Sequence, residues 1–347
     1  MSEDNYTNYY ENKNILITGG ASFIGSNLVE LLLKSGAKIT IVDNLSSGKK
    51  ENLQEVLNDV EFIQEDLRND EGNLNIYKNK DIVFHLAAIH GGRGYIDTHP
   101  VECLNNMILD HKVYENSVKN NVGNIIQASS ACVYPTDLQS SNTELNFLKE
   151  TDANFEEPGK AYSDGEYGWA KLMGELQLKA FCKQFKINGT SARIFTAYGE
   201  RENESHAVIA LIAKAMLKID PFPIWGDGEQ TRNFTYVKDT VYGLYLAGLN
   251  DNGYNVLNVG SNKHHTINEL CETIFQSLNW KPKEIKHELD KPVGVKSRAS
   301  DNTNILNLYN WQPNTKLIDG VNETTNWYLK NSKIKNLDEL NSLLMSR

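Results

Sequence analysis

Short apolar runs rich in β-branched residues alternate with longer stretches through the first two-thirds of the chain. Continuous apolar runs of this length are typical of strands buried on both faces of a parallel sheet. Six strands are predicted: Ile15–Thr18, Lys38–Val42, Val60–Gln64, Ile82–Leu86, Asn124–Ser129 and Thr190–Phe195. Between them, apolar spacing predicts helices over Ile24–Lys34 and Val101–Lys119. This alternation indicates an α/β fold with helices covering a parallel sheet.

The sequence pattern changes after about Thr196. There the segments are shorter and are interrupted by Pro and Gly, as in PFP at 221–223 and GDG at 226–228. We therefore predict a doubly wound sheet of the Rossmann type followed by a smaller C-terminal substrate-binding domain. The expected bounds are 13–195 plus about 234–262 for the first domain and 196–233 plus about 263–331 for the second. Residues 1–12 are predicted to be a loose polar tail.

Composition and charge exclude several classes of protein. The 347 residues are 40% hydrophobic and 23% charged, as in folded globular chains. The net charge of −10 leaves no basic surface for nucleic acid. No apolar run approaches the roughly 20 residues of a membrane span, and the polar start offers no secretory signal, so we expect a cytoplasmic protein. Its four cysteines are widely spaced and form no CxxC pair, which predicts reduced thiols and no metal site.

A glycine-rich segment, TGGASFIG at residues 18–25, joins the first predicted strand to the first helix. Such a turn lets the backbone approach a pyrophosphate, and the helix N-terminus offers N–H groups to it. An ordinary tight turn is the alternative, but Asp43 ends the next predicted strand, where a carboxylate binds ribose hydroxyls. Because Asp43 would repel a 2′-phosphate, the sequence favours NAD over NADP.

Tyr167 and Lys171 are spaced by four and precede further apolar positions of a helical face. That spacing puts both on one side of a helix, where an ammonium favours the phenolate and makes it a usable base. The pattern alone is common among surface pairs. Here it follows a dinucleotide-binding pattern and a strand that ends at Ser129 and Ser130.

These three motifs together resemble the extended short-chain dehydrogenase/reductase family, specifically its nucleotide-sugar epimerases, over about residues 13–331. The resemblance implies that Ser130, Tyr167 and Lys171 form the catalytic set. It also implies an NAD site that, besides Tyr167 and Lys171, includes Gly19, Ser22, Phe23, Ile24, Gly25, Asp43, Asn44, Asp66, Leu67, Leu86, Ala87 and Ala88. For Asp66, the exposed acid of a loop is an equal alternative to a place beside the adenine. Ser22 stands where the family's TGxxGxxG has its middle glycine.

A second hallmark of that family is WGDGEQTRNFTYVKD at residues 225–239, which resembles its nucleotide-diphosphate clamp. The resemblance implies that Arg232 and Arg298 hold the pyrophosphate, because guanidinium groups match phosphate oxygens. Trp225 would flank the base or, alternatively, lie in the core of the small domain. Thr196 departs from the family's usual Asn, which weakens any assignment of the base.

The residues around the expected reaction centre select the reaction. SSACVYP at 129–135 and HGGRGY at 90–95 resemble GDP-mannose 3,5-epimerases, in which a Cys matching Cys132 exchanges protons beside a C4 ketone. A buried, inert cysteine at a strand end is an equal alternative for Cys132. Gly91, Gly92 and Arg93 are expected to contact the sugar, and a plain flexible loop is an equal alternative for the glycines. His206 aligns where those enzymes pair the Cys with a Lys, and it either substitutes for that Lys or contacts phosphate.

The expected function is therefore NAD-dependent epimerisation of a nucleotide-diphosphate hexose through transient oxidation at C4, as a 3,5-epimerase or, as in UDP-glucose 4-epimerases, a 4-epimerase. A dehydrogenase or 4-ketoreductase with net redox change is an alternative, and a non-catalytic protein that binds NAD or sugar nucleotides is another. The resemblance also implies a homodimer through helices equivalent to Val101–Lys119 and Gly168–Phe185.

Overall fold

A computed structural model of the chain describes residues 8–69, 73–141, 143, 145–291 and 293–344. Its strands are β1 (Asn14–Thr18), β2 (Lys38–Asp43), β3 (Glu61–Gln64), β4 (Ile82–His85), β5 (Asn124–Ser130), β6 (Phe147–Leu148), β7 (Asn188–Ile194), β8 (Ala197–Tyr198), β9 (Phe222–Trp225), β10 (Thr231–Arg232), β11 (Thr235–Tyr236), β12 (Tyr254–Val259), β13 (His265–Thr266), β14 (Ile285–Glu288) and β15 (Ala299–Ser300).

The α-helices, which cover the main sheet and build the C-terminal part, are α1 (Phe23–Lys34), α2 (Arg93–Thr98), α3 (Pro100–Leu104), α4 (Asn106–Lys119), α5 (Gly165–Phe185), α6 (Ala207–Met216), α7 (Val237–Ala247), α8 (Ile267–Ser277), α9 (Thr303–Tyr309), α10 (Leu317–Asn331) and α11 (Leu337–Leu344).

Seven parallel strands form the main sheet in the order β12-β7-β5-β4-β1-β2-β3. The chain order reverses between β1 and β4, so the loops that follow these two strands diverge and leave a crevice at their carboxyl ends. This arrangement confirms the predicted Rossmann-type α/β fold. The seventh strand, β12, was not predicted, because Tyr254, Asn255 and Asn258 interrupt its apolar run.

The predicted helix Val101–Lys119 is divided in the structure into α3 and α4, which meet at Asn105. The next residue, Asn106, is fully buried and bonds the loop after β4 at both ends of its amide. Its side-chain oxygen accepts from the N–H of Ile89 (2.7 Å), and its nitrogen donates to the Ile89 carbonyl (2.8 Å). The polar residue that interrupts the apolar face therefore fixes a loop beside the crevice.

Helices α6, α8 and α10 pack together beyond the main sheet, with the parallel pair β9 and β14 alongside them. Their shared core includes Ile212, Phe222, Ile274 and Val321, all fully buried. None of the helices in the described part of the chain is long and apolar enough to cross a membrane.

The predicted loose tail over 1–12 is wrong for its described part, 8–12; residues 1–7 lie outside the described residues. Tyr10 is fully buried, and its hydroxyl donates to the carbonyl of Tyr245 (2.6 Å). Its ring lies 4.5 Å from the ring of Tyr245. A single aromatic side chain thus anchors a polar segment to α7. The average polarity of the segment gave no sign of this contact.

Helix α5 is fastened to the sheet by a buried ion pair. Arg193 on β7 donates to both carboxylate oxygens of Glu175 on α5 (3.0 and 2.8 Å), and Glu175 also accepts from the hydroxyl of Ser129 (2.5 Å). Both charged residues are at most 2% exposed. Removal of one partner would leave the other charge buried and unpaired, which is costly.

We expect Glu175→Gln to lower the free energy of unfolding by about 3 kcal/mol, because Arg193 loses its counter-charge. The matched control is Glu115→Gln, which breaks the exposed pair with Lys119 (2.9 Å) and should change stability by no more than about 0.5 kcal/mol. Denaturant titration of both variants measures the difference. Equal effects of the two substitutions would contradict the role given to the buried pair.

Candidate active site

The loop between β1 and α1 forms one wall of the crevice. A Cβ at Gly25 would lie 2.2 Å from the carbonyl oxygen of Gly19, and one at Gly19 would lie 2.7 Å from the nitrogen of Ala87. Gly19 also has φ +71°, which disfavours other residues. Only glycine lets this turn pack so closely against α1 and the loop after β4. Because the first N–H groups of a helix lack intrahelical partners, those of Phe23 and Ile24 are available to an anion.

Ser22 stands where the family pattern has a glycine, and in the structure it caps the N-terminus of α1. Its hydroxyl donates to the carbonyl of Gly19 (2.6 Å) and accepts from the N–H of Gly25 (3.2 Å). A serine at this position closes the turn and satisfies a helix N–H group at once. The substitution therefore keeps the shape of a dinucleotide-binding loop.

Asp43 ends β2 inside the same crevice and is only 7% exposed. Its carboxylate accepts from the N–H groups of Ala21 (3.0 Å) and Leu45 (2.8 Å), which fixes its orientation. Asp66 lies nearby, where hydrogen bonds from Arg68 hold its pKa well below the ordinary value. Other predicted residues that line this crevice are Gly19, Ser22, Asn44, Leu67, Leu86, Ala87 and Ala88. The glycine cradle, the helix N-terminus and the fixed carboxylate fit NAD.

Ser130, Tyr167 and Lys171 meet where β5 ends against α5, and all three line one cavity of about 290 Å³. The Lys171 ammonium is buried and donates to the carbonyl of Ala128 (2.9 Å), 6.0 Å from the centre of the Tyr167 ring. Gly168 permits the close packing, since a Cβ there would lie 2.3 Å from the carbonyl oxygen of Cys132.

Burial dominates the pKa values of Tyr167 and Lys171. It raises the pKa of Tyr167, although hydrogen bonding with Ser130 opposes the rise. It lowers the pKa of Lys171, against the charges of Asp110 and Glu175. In the chain by itself, Tyr167 is therefore a neutral phenol that can hold a proton.

Cys132 lies beside a chain of charged groups. Arg298 donates to its Sγ (3.5 Å) and to Gln139 Oε1 (2.6 Å), and also to Asp164 (3.2 Å). Arg93 donates to both oxygens of Asp164 (2.9 and 3.1 Å). Burial alone would raise the pKa of Asp164, but the two arginines hold it below its ordinary value. Arg298 thus links Cys132 to the buried carboxylate of Asp164.

A second cavity of about 330 Å³ adjoins the first and is lined by cationic side chains. Arg232 points into it while donating to the carbonyls of Thr231 (2.7 Å) and Val293 (2.8 Å). Burial, together with the charge of Arg298, lowers the pKa of Arg232 to about 9. Trp225 lines the same space, with the Lys214 ammonium 6.0 Å from its ring. The predicted contacts Gly91, Gly92, Arg93 and Arg298 also line this cavity.

His206, which precedes α6, lines both cavities, as does Cys132. Burial lowers the pKa of His206 to about 4. Its ring stacks on that of His90 at 6.1 Å, and its Nδ1 lies 3.5 Å from Glu202 Oε1. The structure thus brings together a thiol, a phenol and an imidazole from three separate segments.

Four residues that border these cavities were missed in the sequence: His90, Asp164, Glu202 and Lys214. Lys214 carried a signal, since it is the one charge within the apolar run 208–216. Asp164 precedes Tyr167 by less than a helical turn, but it lines the second cavity, whereas Tyr167 lines the first. His90 begins the HGGRGY segment, yet its spacing indicated no role for it, and nothing in the pattern around Glu202 marked that residue, because both depend on contacts across the fold.

Known proteins are similar to this chain over most of its length. The model of the NAD dependent epimerase/dehydratase family matches residues 15–260. The chain is 35% identical to GDP-mannose 3,5-epimerase 1 of Oryza sativa over 323 residues, 91% of this chain and 82% of the relative. Relatives named as UDP-glucuronic acid decarboxylases also match, at 28–29% identity.

Solved structures show the same similarity over nearly the whole chain. UDP-N-acetylglucosamine 4-epimerase from Methanobrevibacter ruminantium, in complex with UDP-N-acetylmuramic acid, superimposes with a TM-score of 0.81 at 31% identity, covering 93% of this chain and all of its own. UDP-glucuronic acid 4-epimerase from Bacillus cereus, in complex with UDP-glucuronic acid and NAD, gives a TM-score of 0.79 at 28% identity, with 91% and 99% coverage.

We expect Asp43→Ala to weaken NAD binding by about 10-fold, because hydrogen bonds to a charged carboxylate are lost. NADP should gain relative to NAD, since the repulsion of a 2′-phosphate disappears as well. Competitive binding of the two dinucleotides measures both effects, and Asp59→Ala, on an exposed residue outside the crevice, is the control. Unchanged selectivity in Asp43→Ala would contradict this assignment.

Proposed function

Because this chain belongs to the NAD-dependent epimerase/dehydratase family, we propose that it epimerises a nucleotide-diphosphate hexose through transient oxidation at sugar C4. The observation that carries the proposal is the meeting of Ser130, Tyr167 and Lys171 in the cavity that also holds Cys132 and His206. Proton-transfer groups for C4 and for a neighbouring carbon thus share one space.

In the oxidation step, Tyr167 takes the proton of the sugar 4-hydroxyl and later returns it. Ser130 holds the phenol of Tyr167 by a hydrogen bond that opposes the rise of the Tyr167 pKa. Ser130 also hydrogen-bonds the sugar hydroxyl. Lys171, fixed on the Ala128 carbonyl, contributes positive charge that favours the ionised phenol during the transfer. NAD held by the loop of Gly19 and Gly25 and by Asp43 would supply a reversible hydride acceptor for C4 and a positive ring charge that favours the phenolate. No net redox change results.

The second cavity supplies the substrate site. Arg232, Arg298 and Lys214 bind the pyrophosphate, since cationic donors in a desolvated space hold phosphate oxygens strongly. Trp225 offers a ring face to the base, and the backbone of Gly91 and Gly92 leaves room for the sugar. Arg93 completes the site at the Asp164 end.

The choice between epimerisations turns on Cys132. A C4 ketone acidifies the protons at C3 and C5, and a thiolate beside Arg298 can remove one of them. Similarity to a GDP-mannose 3,5-epimerase at 35% identity supports this activity. A 4-epimerase remains the second candidate, because His206 replaces the lysine expected opposite the cysteine and solved neighbours carry that name.

We further propose a homodimer that works in the cytoplasm. Exposed apolar side chains gather on α3, α4 and α5: Val101 (69% exposed), Ile108 (53%), Trp169 (38%) and Phe185 (45%). Two copies of these helices would cover them, and burial of such area favours association.

Tyr167→Phe should lower the rate of C4 oxidation by about 100-fold or more, because the phenol that accepts the hydroxyl proton is lost. The measurement is the absorbance of reduced nicotinamide after a panel of nucleotide sugars is added to the purified protein. Tyr162→Phe, the same change on an exposed tyrosine (61%), should behave as wild type. Full turnover in Tyr167→Phe would exclude the proposed base.

Cys132→Ala should lower deuterium incorporation at sugar C3 or C5 by about 100-fold in deuterated water, because the carbon loses its base. The C4 chemistry should survive. Cys182→Ala, far from both cavities in α5, is the matched control. Turnover of the wild-type protein without label at these carbons would instead assign 4-epimerisation, and retained labelling in Cys132→Ala would exclude the thiol.

A further inference from the structure

Glu202 and His206 face each other in front of α6, and no role proposed above uses Glu202. Glu202 is 6% exposed, and its Oε1 lies 3.5 Å from Nδ1 of His206. That Nδ1 and Glu202 Oε2 are both buried and lack a hydrogen-bond partner among the described residues. Each unsatisfied buried polar atom costs free energy, so this pair needs an explanation.

Two bare acceptors at this separation gain nothing from each other, whereas one proton between them makes a hydrogen bond. Burial raises the pKa of Glu202 well above its ordinary value, against a weaker effect of the Gly199 N–H, and lowers that of His206. Both shifts favour the uncharged form of each group. A carboxylic acid that donates its proton to Nδ1 leaves the imidazole proton on Nε2.

The imidazole contacts Glu202 and also lines the second cavity. His206 lines both cavities, whereas Glu202 lines only the one that holds Tyr167 and Lys171. The ring is held by stacking on His90 with an interplanar angle of 14°. Behind it, Gly92 packs so closely on the Ser205 carbonyl that a Cβ would lie 2.0 Å from its oxygen. The His206 ring therefore contacts an acid, Glu202, and also borders a cavity. An imidazole in that position is suited to transfer a proton from one nitrogen to the other side of the ring.

We propose that Glu202 and His206 form a proton relay that reprotonates the sugar carbon from which Cys132 removes a proton. This inference rests on the proposed function and specifies its second acid. Glu202 acts through His206 and is a positioning residue rather than a catalytic one.

The protons and charges balance at each carbon. The Cys132 thiolate takes a proton from the carbon beside the C4 ketone, and the C–H electrons form the enolate. His206 then gives its Nε2 proton to the opposite face of that carbon, while the Glu202 proton passes to Nδ1. The negative charge moves from sulfur to the Glu202 carboxylate, and no imidazolium forms.

At a second carbon the transfers run in reverse. His206 accepts a proton on Nε2 as Nδ1 returns one to Glu202, and the Cys132 thiol protonates the enolate. Both groups regain their starting states. Two successive epimerisations therefore reset the relay. Deuterium reaches each carbon from the group that protonates it, after that group has exchanged its proton with the deuterated solvent.

The test compares Glu202→Gln and Glu202→Asp with the matched control Glu204→Gln, two residues away, where the Tyr328 hydroxyl keeps an acceptor. The probe is GDP-mannose, followed by UDP-glucose and UDP-glucuronic acid, with the NAD-loaded protein in deuterated water. In Glu202→Gln, deuterium incorporation at C3 and C5 should fall about 100-fold more than C4 oxidation falls. Glu202→Asp should recover at least about a tenth of the wild-type labelling rate, and Glu204→Gln all of it.

A second measurement needs no substrate. The infrared difference between wild type and Glu202→Gln should contain the carbonyl stretch of a protonated carboxylic acid at pH 7. Nitrogen NMR of labelled histidine, assigned with His206→Gln, should show His206 neutral with its proton on Nε2.

Equal labelling in Glu202→Gln and wild type, or an ionised Glu202 in the resting protein, would overturn the relay. Wild-type C4 oxidation without any labelling would overturn it too, while leaving a 4-epimerase intact. Absence of C4 oxidation by the wild type with every probe would overturn the proposed function, and the two spectra would still decide how Glu202 is protonated.

Discussion

The site depends on how tightly α5 is held against the carboxyl end of β5. The Lys171 ammonium donates a hydrogen bond to the Ala128 carbonyl, and the Glu175 carboxylate accepts hydrogen bonds from Arg193 and Ser129. These contacts are buried, so water does not weaken them. They hold Tyr167 one helical turn from Lys171 and beside Ser130, and loss of that register would separate the phenol from the residues it works with.

Around this fixed edge, the crevice expected to bind NAD and the second cavity differ in charge. The crevice after β1 and β2 carries fixed carboxylates, Asp43 and Asp66, which suit ribose hydroxyls and adenine more than phosphate. The second cavity is lined by Arg93, Arg232, Arg298 and Lys214, and also by Asp164, which accepts from Arg93 and Arg298. In the function proposed above, a dinucleotide and a diphosphate sugar would therefore bind to different walls, with their reacting ends near Cys132 and His206.

The sequence made the local parts of this arrangement predictable. Glycines 19 and 25, Asp43 and the Tyr167–Lys171 spacing each express a constraint within a few residues, and their pattern marks them. Ser22 looked like a departure until its two hydrogen bonds showed it to be a helix cap. Tyr10 and Glu202 could not be predicted, because their burial depends on side chains that meet only in the folded chain. The direction of the Tyr167 pKa also escaped prediction, since spacing shows a nearby charge but not the loss of water.

In the proposed function, Tyr167 serves a hydride transfer at sugar C4 that is undone within the same catalytic cycle. Conversion of a nucleotide sugar deuterated at C4, in ordinary water, tests this most directly by mass spectrometry of the product and of the bound dinucleotide. The product should keep its deuterium at C4, and the dinucleotide should carry it transiently. Loss of the label to water during conversion, or conversion in which the dinucleotide never acquires it, would contradict the account.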